Sequence, residues 1–532
     1  MKTTAGRLRH AAFALSTLCC ALLIAMPVLS TASFDVVGKN IAQLTEAQAQ
    51  GRVSSLQLVD AYLARIARLD RAGPALHSVL AINPQARAQA RALDSERAAG
   101  KLRGPLHGIP LLIKDNIETA DPMPTTAGSL ALADNLGGRD APLIARLRAA
   151  GAVILGKTNL SEWANIRSSA SVSGWSAVGG QTRNPYALDR NTCGSSSGSA
   201  AAVAASLAAA AVGTETDGSI TCPASMNGVV GIKPTVGLVS RTYVVPISHS
   251  QDTPGPIAHT LADAALLLGV MAGTDPLDQA TRTADLHKQD FVDFPKSAGL
   301  SGARIGVLRI DNALPAAKRL FDATVKRLAA AGATMIDVQA PAGVDQLGDM
   351  ELTVMLTELK ADLDVYLAST PPAVSARSLA AVIAFNREHA AEEMPLFEQE
   401  LFERAQATGG LQDAKYLKAL EGSRLAAGHD GLDKIYSSQQ LQALIAPTMG
   451  PAFLIDPING DAINWSGPGN LPAIAGYPHL TLPLGLIKGL PVGLSVIGPA
   501  WSDAMLLALG ADIEHLLGPV APPTYARSLA LR

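Results

Sequence analysis

Residues 104–116 read GPLHGIPLLIKDN, and their apolar run Ile109–Ile113 stops at Lys114. A short apolar run of this kind is typical of a strand that is buried on both faces. Residues 141–150 predict a helix, and residues 152–155 predict the next buried strand. Because strands that alternate with helices form layered sheets, this part of the chain predicts an α/β fold with both faces of the sheet covered.

The rest of the chain carries helical and strand-like patterns in separate blocks. Residues 38–100 have apolar residues at broadly helical spacing and predict an N-terminal helical layer. The Ala-rich residues 199–212 are too few to span a bilayer, and they predict a buried helix that ends at Gly213. Residues 340–430 predict a helical excursion over the core, and residues 443–500 predict a return to strands.

Length and composition are those of a large globular protein. The chain has 532 residues, of which 48% are hydrophobic and 4% aromatic, and this composition excludes a disordered or fibrous protein. A net charge of -3 offers no basic face, so nucleic acid is not a predicted partner. Since no repeat or linker divides residues 33–532, we predict a single domain there.

The first 32 residues have the pattern of a secretory signal peptide. A basic start precedes an apolar run over residues 11–29, and small residues follow at 30–32. A membrane anchor that stays attached is the alternative, and the small polar residues after the run favour cleavage. Cleavage predicts a periplasmic or secreted protein with no stable membrane association and a net charge of about -6.

The cysteine and histidine patterns give no support to a metal site. Beyond the signal peptide only Cys193 and Cys222 remain, and the chain has no C-x-x-C or H-E-x-x-H spacing. We therefore predict neither a metal nor an organic cofactor.

Residues 193–199 read CGSSSGS and lead directly into the Ala-rich run. A flexible linker is one interpretation, but small residues before a buried helix also let backbone N–H groups approach a substrate closely. The spacing of Gly194, Ser196 and Gly198 matches the nucleophile elbow G-x-S-x-G, which requires a strand before it. Because residues 184–192 have turn and loop chemistry instead, an α/β-hydrolase triad is disfavoured.

Residues 213–220 read GTETDGSI, and Gly218 beside Ser219 suits a tight turn with an exposed hydroxyl. Such a turn is also common on ordinary surfaces, and a lysine at a strand end such as Lys114 is usually only salt-bridged. Together, however, these residues offer a nucleophile, a relay hydroxyl and a base. A lysine can act as base if burial lowers its pKa from about 10.4 to roughly 7–8.

Five motifs follow one another along the chain, namely residues 104–116, 156–159 (GKTN), 193–199, 213–219 and 231–235 (GIKPT). In this order they resemble the amidase signature family, and the resemblance covers about residues 104–260, with weaker matches at 446–448 and 489–494. The resemblance implies an amidase-signature fold, in which a large mixed twisted β-sheet is covered by helices on both faces.

The resemblance also implies a serine amidohydrolase and assigns its residues. Ser219 matches the nucleophile, Ser195 the bridging serine on a non-proline cis peptide, and Lys114 the base. Ser196 matches a position that supports these three by hydrogen bonding. An oxyanion hole is implied for the backbone N–H groups of Thr216, Asp217, Gly218 and Ser219.

The sequence departs from the common family pattern at three places. Cys193-Gly194 and Asp217-Gly218 stand where Gly-Gly is common, and Thr221-Cys222 stand where an Arg often follows. With the run SQDTPGP at 250–256 and the signal peptide, these variants resemble the bacterial peptide amidases, which hydrolyse the C-terminal carboxamide of peptides to the acid and ammonia. Cys193 and Cys222 form either a disulfide or two buried thiols, and we favour the thiols.

Three alternatives stay open from the sequence. The same chemistry serves aryl, aliphatic or fatty acid amides, and the amidotransferase component that works on aminoacyl-tRNA resembles the family too. A catalytically inactive periplasmic binding protein is the third. We interpret Tyr243, Asn464 and Trp465 as packing or loop residues rather than as site residues.

Overall fold

A computed structural model of the protein describes residues 34–290, 299–341 and 344–529. The predicted signal peptide, residues 1–32, lies outside these ranges. The described strands are β1 Val79–Ile82, β2 Pro110–Lys114, β3 Val153–Thr158, β4 Trp175–Ser176, β5 Gly180–Gln181, β6 Ala210–Glu215, β7 Val230–Lys233, β8 Thr253–Ala258, β9 Arg304–Leu308, β10 Thr334–Val338, β11 Ala443–Pro447, β12 His479–Ile487 and β13 Leu490–Ile497.

Helices occupy most of the sequence between these strands. The α-helices of the described residues are α1 Ile41–Ala49, α2 Ser55–Arg65, α3 Ala86–Ala98, α4 Pro142–Ala149, α5 Ser197–Ala204, α6 Thr221–Asn227, α7 Leu261–Met271, α8 Ala284–His287, α9 Pro315–Ala330, α10 Leu347–Ala368, α11 Leu379–Glu388, α12 Ala390–Glu393, α13 Glu400–Gln406, α14 Ala414–Arg424, α15 Lys434–Gln439, α16 Asn470–Ala475 and α17 Asp503–Leu517.

Eleven of the described strands form one mixed sheet in the order β1-β3-β2-β6-β8-β7-β12-β13-β11-β9-β10. Strand β2 is parallel to both β3 and β6, and β9 is parallel to β10 and β11. The pairs β6/β8, β8/β7, β7/β12, β12/β13 and β13/β11 are antiparallel. All five residues of β2 are buried, as expected for a strand covered on both faces.

Helices cover both faces of this sheet. A side chain at Gly493 of β13 would meet Ser225 of α6 and Thr481 of β12, whereas one at Gly510 of α17 would meet Leu480. Successive residues of a strand point to opposite faces, so α6 and α17 lie on opposite sides of β12. The prediction of a mixed α/β sheet with helices on both faces is confirmed.

Two local predictions were wrong. The helical layer over residues 38–100 contains a strand, β1, which pairs antiparallel with β3 at the edge of the sheet. Residues 199–212 are not one helix, because α5 ends at Ala204 and residues 210–215 form β6. Ser206, with a left-handed φ of 53°, breaks the run. A run of small and apolar residues, interrupted only by serines, has no periodicity that separates a buried helix from a buried central strand.

Helices α10 to α14 occupy residues 347–424, inside the range of the predicted helical excursion. Helix α10 packs against α13 through residues such as Leu359 and Leu363, and against α14 through Val354. It also brings Glu351 and Met355 to a cavity described below. Among the described residues, no helix has the length and apolar character that crossing a membrane requires.

Candidate active site

Lys114 is the last residue of β2 and is fully buried. Its Nζ lies 2.7 Å from Ser195 Oγ, 2.8 Å from Thr214 Oγ1 and 3.1 Å from the carbonyl oxygen of Thr214. Thr214 Oγ1 also accepts a hydrogen bond of 3.0 Å from Asn116 Nδ2. Among the residues described by the structure, no carboxylate forms an ion pair with Lys114. The ammonium group is therefore surrounded by neutral oxygen atoms.

Burial lowers the pKa of Lys114 to about 7, because removal from water disfavours the charged ammonium. The carboxylates of Asp252 and Glu215 oppose this shift, but they act from a distance and are outweighed by burial. A substantial fraction of Lys114 is consequently neutral at pH 7, as a lysine base requires.

Ser195 lies in a tightly built loop between Cys193 and α5. The peptide bond between Gly194 and Ser195 is cis, at the position where the family resemblance implies one. A Cβ atom at position 194 would lie 2.1 Å from Ser161 Oγ, so only glycine fits there. The backbone of Cys193 is left-handed (φ 58°), and this conformation explains why glycine is common at the position in the family.

Ser196 connects this loop to β6 and to the neighbouring turn. Its Oγ donates to the carbonyl oxygen of Thr214 at 3.1 Å and accepts from the Thr214 N–H at 3.2 Å. Its backbone N–H donates to the carbonyl oxygen of Ser219 at 3.1 Å. These bonds fix the two serine-bearing segments relative to one another, as the predicted supporting role of Ser196 requires.

Ser219 lies in the turn between β6 and α6 and is 8% exposed. Gly218 has a φ of 74°, which a glycine adopts without strain. The carboxylate of Glu215 accepts hydrogen bonds from the N–H groups of Ile220 at 2.7 Å and Thr221 at 2.9 Å, and so stabilises the start of α6.

Residues 217–219 line an open space. Within the described ranges, none of their backbone N–H groups donates a hydrogen bond to another residue. Successive free N–H groups in a turn form a concave site for an anion. The four residues predicted to form an oxyanion hole, Thr216 to Ser219, all line one cavity, and their role stays a prediction.

A second layer supports the turn from behind. Asp252 accepts hydrogen bonds from Thr216 Oγ1 at 2.6 Å and from the N–H groups of Ile247 and Ser248 at 2.8 and 3.0 Å. Gln251 Nε2 donates to the carbonyl oxygen of Thr216 at 3.3 Å. Burial raises the pKa of Asp252 to about 6, against the effect of these hydrogen bonds.

Cys193 and Cys222 form a disulfide, with Cα atoms 5.9 Å apart. The prediction of two separate thiols was therefore wrong. The left-handed backbone at Cys193 and the turn before α6 bring together two residues that are 29 positions apart, and sequence spacing does not reveal this approach. The bond crosslinks the segment of Ser195 to the segment of Ser219.

A cavity of about 550 Å³ opens above Ser219. Its wall includes Gly194, the disulfide, residues 216–219 and, from α10, Glu351 and Met355. The volume is within the range of about 300–1,000 Å³ that is typical of small-molecule sites. A larger cavity of about 730 Å³ lies near Arg65 and Glu514, and neither predicted catalytic serine lines it.

One cluster of three potential metal ligands occurs among the described residues, although the sequence predicted none. The ligand atoms of His249, Glu358 and Asp362 lie within 4.8 Å of one another. Both imidazole nitrogens already contact carboxylates, with Nδ1 2.9 Å from Asp362 and Nε2 3.2 Å from Glu358. The hydrogen bond to Asp362 is the main cause that raises the pKa of His249. This geometry is that of an ion-pair cluster between α10 and the loop that carries Asp252.

The structure brings Lys114, Ser195, Ser196 and Ser219 into one network, while their catalytic roles stay predictions. Sequence reasoning missed Thr214, although it stands in the quoted motif 213–220. Its position one residue before the end of β6 was hidden because the strand itself was not predicted. Gln251 and Asp252 stand in the quoted run 250–256, but no role was predicted for them, since they reach the turn only through the pairing of β6 with β8.

The sequence profile of the amidase family matches residues 57–507. The chain therefore belongs to the amidase family, as predicted, and it is an amide-hydrolysing enzyme. The solved structure of native peptide amidase from Stenotrophomonas maltophilia is 48% identical, with a TM-score of 0.86 over 92% of this chain and 98% of that one.

Other relatives widen the range of activities. A probable amidase from Arabidopsis thaliana is 39% identical over 93% of both chains. A component of the glutamyl-tRNA(Gln) amidotransferase from Salinispora tropica is 35% identical over 92% of this chain and 99% of its own. Family membership thus establishes the amidase class, but it does not determine the substrate.

Proposed function

We propose that the enzyme hydrolyses the C-terminal carboxamide of peptides to the free acid and ammonia through an acyl-enzyme on Ser219. The observation that carries this proposal is the contact of 2.7 Å between Lys114 Nζ and Ser195 Oγ in a buried, uncharged environment. The hydrogen bond from the Ser196 N–H to the Ser219 carbonyl oxygen supports the proposal, because it joins the loop of Ser195 to the turn of Ser219.

The proton relay follows from the hydrogen bonds of Lys114. A neutral amine has two N–H donors and one lone pair. The two oxygen atoms of Thr214 accept the two N–H groups, and the lone pair is then free to accept the hydroxyl proton of Ser195. Ser195 in turn takes the proton of Ser219, which attacks the amide carbonyl carbon.

The negative charge that develops on the carbonyl oxygen is stabilised by the backbone N–H groups of the turn, those of Thr216, Asp217, Gly218 and Ser219. The proton held by Lys114 returns through Ser195 to the leaving nitrogen, the C–N bond breaks and ammonia departs. Water then attacks the acyl-enzyme, gives its proton to the same relay and releases the carboxylic acid and the Ser219 hydroxyl.

The substrate class rests on similarity and on the shape of the site. The related structure from Stenotrophomonas maltophilia is a peptide amidase, and it aligns over nearly the whole of both chains. Because the leaving group is only ammonia, almost all of the substrate lies on the acyl side of the scissile bond. A cavity of about 550 Å³ gives that acyl part room beside Ser219.

The test is incubation of the purified enzyme with a C-terminally amidated dipeptide, with assays for ammonia and for the peptide acid. Equal amounts of both products with the internal peptide bond intact are expected, and Ser219→Ala is expected to form neither. Cleavage of anilides or fatty amides without release of ammonia from peptide amides would keep the chemistry and replace the substrate class. A fully active Ser219→Ala variant would refute the mechanism.

We also propose that residues 1–32 direct the chain out of the cytoplasm and are removed, in line with their basic start, apolar run and small-residue end. Cell fractionation followed by mass spectrometry of the purified protein tests this directly. Mature chain that begins near residue 33 in the periplasm or medium is the expected result. Full-length chain in the cytoplasm would refute it.

A further inference from the structure

The loop of residues 448–467 divides the space beside the active site into two cavities. Its base is closed by pairing of Met449 with Ser466 and by a hydrogen bond of 2.9 Å from the Gly467 N–H to the Thr448 carbonyl oxygen. One cavity is the space above Ser219, and the second has a volume of about 450 Å³.

Two side chains of this loop, Met449 and Ile463, line both cavities and so lie at the boundary between them. Ile463 is 50% exposed, which is high for an isoleucine and leaves its side chain free to contact a ligand. The second cavity is lined mainly by apolar side chains, among them Phe453, Leu454 and Leu490. An apolar surface therefore extends from the cavity above Ser219, over Met449 and Ile463, into the second cavity.

Trp465 brings an unpaired hydrogen-bond donor to this second cavity, whose lining also includes Arg190, Asp456 and Lys488. Its ring is 4% exposed, and its buried Nε1–H has no hydrogen-bond partner among the described residues. A Cβ atom at Gly450 would lie 3.3 Å from Nε1, so Gly450 lies directly beside the indole N–H and has no side chain to pack on it. Both residues line the cavity, and a buried donor without an acceptor is unfavourable.

The loop is also anchored to the segment that carries Ser195. The Asn191 N–H donates to the Phe453 carbonyl oxygen at 2.8 Å, and the Ile455 N–H donates to the Asp189 carbonyl oxygen at 3.0 Å. A chain bound in the second cavity would therefore contact a surface that is fixed relative to the reacting carbonyl. Fixed contacts of this kind, remote from the scissile bond, make kcat/KM depend on the length of the substrate.

We propose that the cavity beside Trp465 is a subsite for the part of a peptide amide that precedes the residue bearing the scissile carboxamide. The peptide passes Met449 and Ile463, places an apolar side chain among Phe453, Leu454 and Leu490, and accepts a hydrogen bond on one of its carbonyl oxygens from Trp465 Nε1. This inference rests on the proposed function, and it assigns a specificity role to a residue that the sequence favoured as packing.

The test is a series of N-acetylated leucine amides with one, two and three residues, for which kcat/KM is measured through ammonia release. In the wild type kcat/KM is expected to rise with length. Trp465→Phe keeps an aromatic ring, although a smaller one, and removes the donor, so it should lower kcat/KM about tenfold for the longest amide and leave the shortest unchanged. Trp501→Phe, a tryptophan that stacks on His287 elsewhere, is the matched control with no expected change.

Gly450→Ala is the second variant, because its methyl group would lie 3.3 Å from Nε1 and block access to it while the indole is kept. It should reproduce the effect of Trp465→Phe, and it decides the question if that variant does not fold. Equal length dependence in wild type and both variants, or no length dependence in the wild type, would overturn the subsite. If the wild type releases ammonia from none of these amides, the proposed function fails as well, whereas hydrolysis without length dependence refutes the subsite alone.

Discussion

Two fully buried lysines lie at the ends of neighbouring parallel strands, and they differ in what surrounds them. Lys157 in β3 lies 3.5 Å from the carboxylate of Asp115, 2.7 Å from the Ile117 carbonyl oxygen and 2.8 Å from Thr125 Oγ1. Lys114 in β2 has three oxygen contacts as well, but all of them are uncharged. Burial lowers the pKa of both, and at Lys157 the nearby Asp115 opposes the shift by direct contact.

The comparison shows that burial alone does not make a lysine a base. A carboxylate in contact favours the ammonium form and turns the lysine into half of an ion pair, whereas hydroxyl and carbonyl partners leave it free to lose its proton. We therefore expect Lys157 to act on stability and Lys114 to act on catalysis.

Lys114→Met gives the largest expected effect. The substitution removes the base and keeps an apolar stem of similar length, so kcat/KM for a peptide amide should fall by about 10³-fold or more. The free energy of unfolding at pH 7 should not fall, because the variant no longer buries an amine. Steady-state kinetics and urea unfolding measure the two quantities.

Lys157→Met should show the opposite pattern. Asp115 would keep its hydrogen bonds from Thr126 but lose its cation, and loss of one partner of a buried pair costs about 3–5 kcal/mol. The activity of the molecules that remain folded should stay close to that of the wild type. A stable but inactive Lys157→Met variant would break the contrast between the two lysines.

The pH dependence of activity should follow Lys114. Its neutral form is the active one, so kcat/KM should rise with pH through about 7 and fall about tenfold for each unit below it. Asp252, with a pKa raised to about 6, is the other group in this range. Asp252→Asn should keep the inflection and move it to lower pH, since the charge of Asp252 favours protonated Lys114. An inflection that disappears in Asp252→Asn would assign it to Asp252 instead.

The same pKa predicts a pH-dependent stability difference. Between about pH 7 and 10 the unfolded chain binds a proton at Lys114 that the folded chain does not. The wild type should therefore gain stability relative to Lys114→Met as pH rises, by up to about 1.4 kcal/mol per unit. Urea unfolding at pH 7, 8 and 9 measures this difference, and a constant difference would contradict a lowered pKa.

Thr214→Val has the smallest expected effect. It removes Oγ1, one of the two Thr214 acceptors of Lys114, and leaves the carbonyl oxygen in place. Loss of one such hydrogen bond is worth about 1 kcal/mol, which corresponds to about a fivefold decrease in kcat/KM. Thr125→Val removes the matching hydroxyl beside Lys157 and should leave kcat/KM unchanged.

The contrast between the lysines also marks what sequence alone can predict. The apolar runs that end at Lys114 and Lys157 predict buried strands, and the family motifs predict which serines join Lys114. The partners that decide the charge of each lysine come from elsewhere: Thr214 from a strand misjudged as helix, and Thr125 from a loop. The disulfide and the loop around Trp465 depend in the same way on backbone turns that spacing does not encode.

The most direct test of the account is the pH-dependent labelling of the enzyme by a fluorophosphonate, with the modified residue mapped by peptide mass spectrometry. We expect one label, on Ser219, at a rate that rises through pH 7. Lys157→Met should react at the wild-type rate, whereas the rate of Lys114→Met should be lower by a factor of about a hundred or more. A label on another residue, or equal rates in the two lysine variants, would contradict the assignment of Lys114 as the base for Ser219.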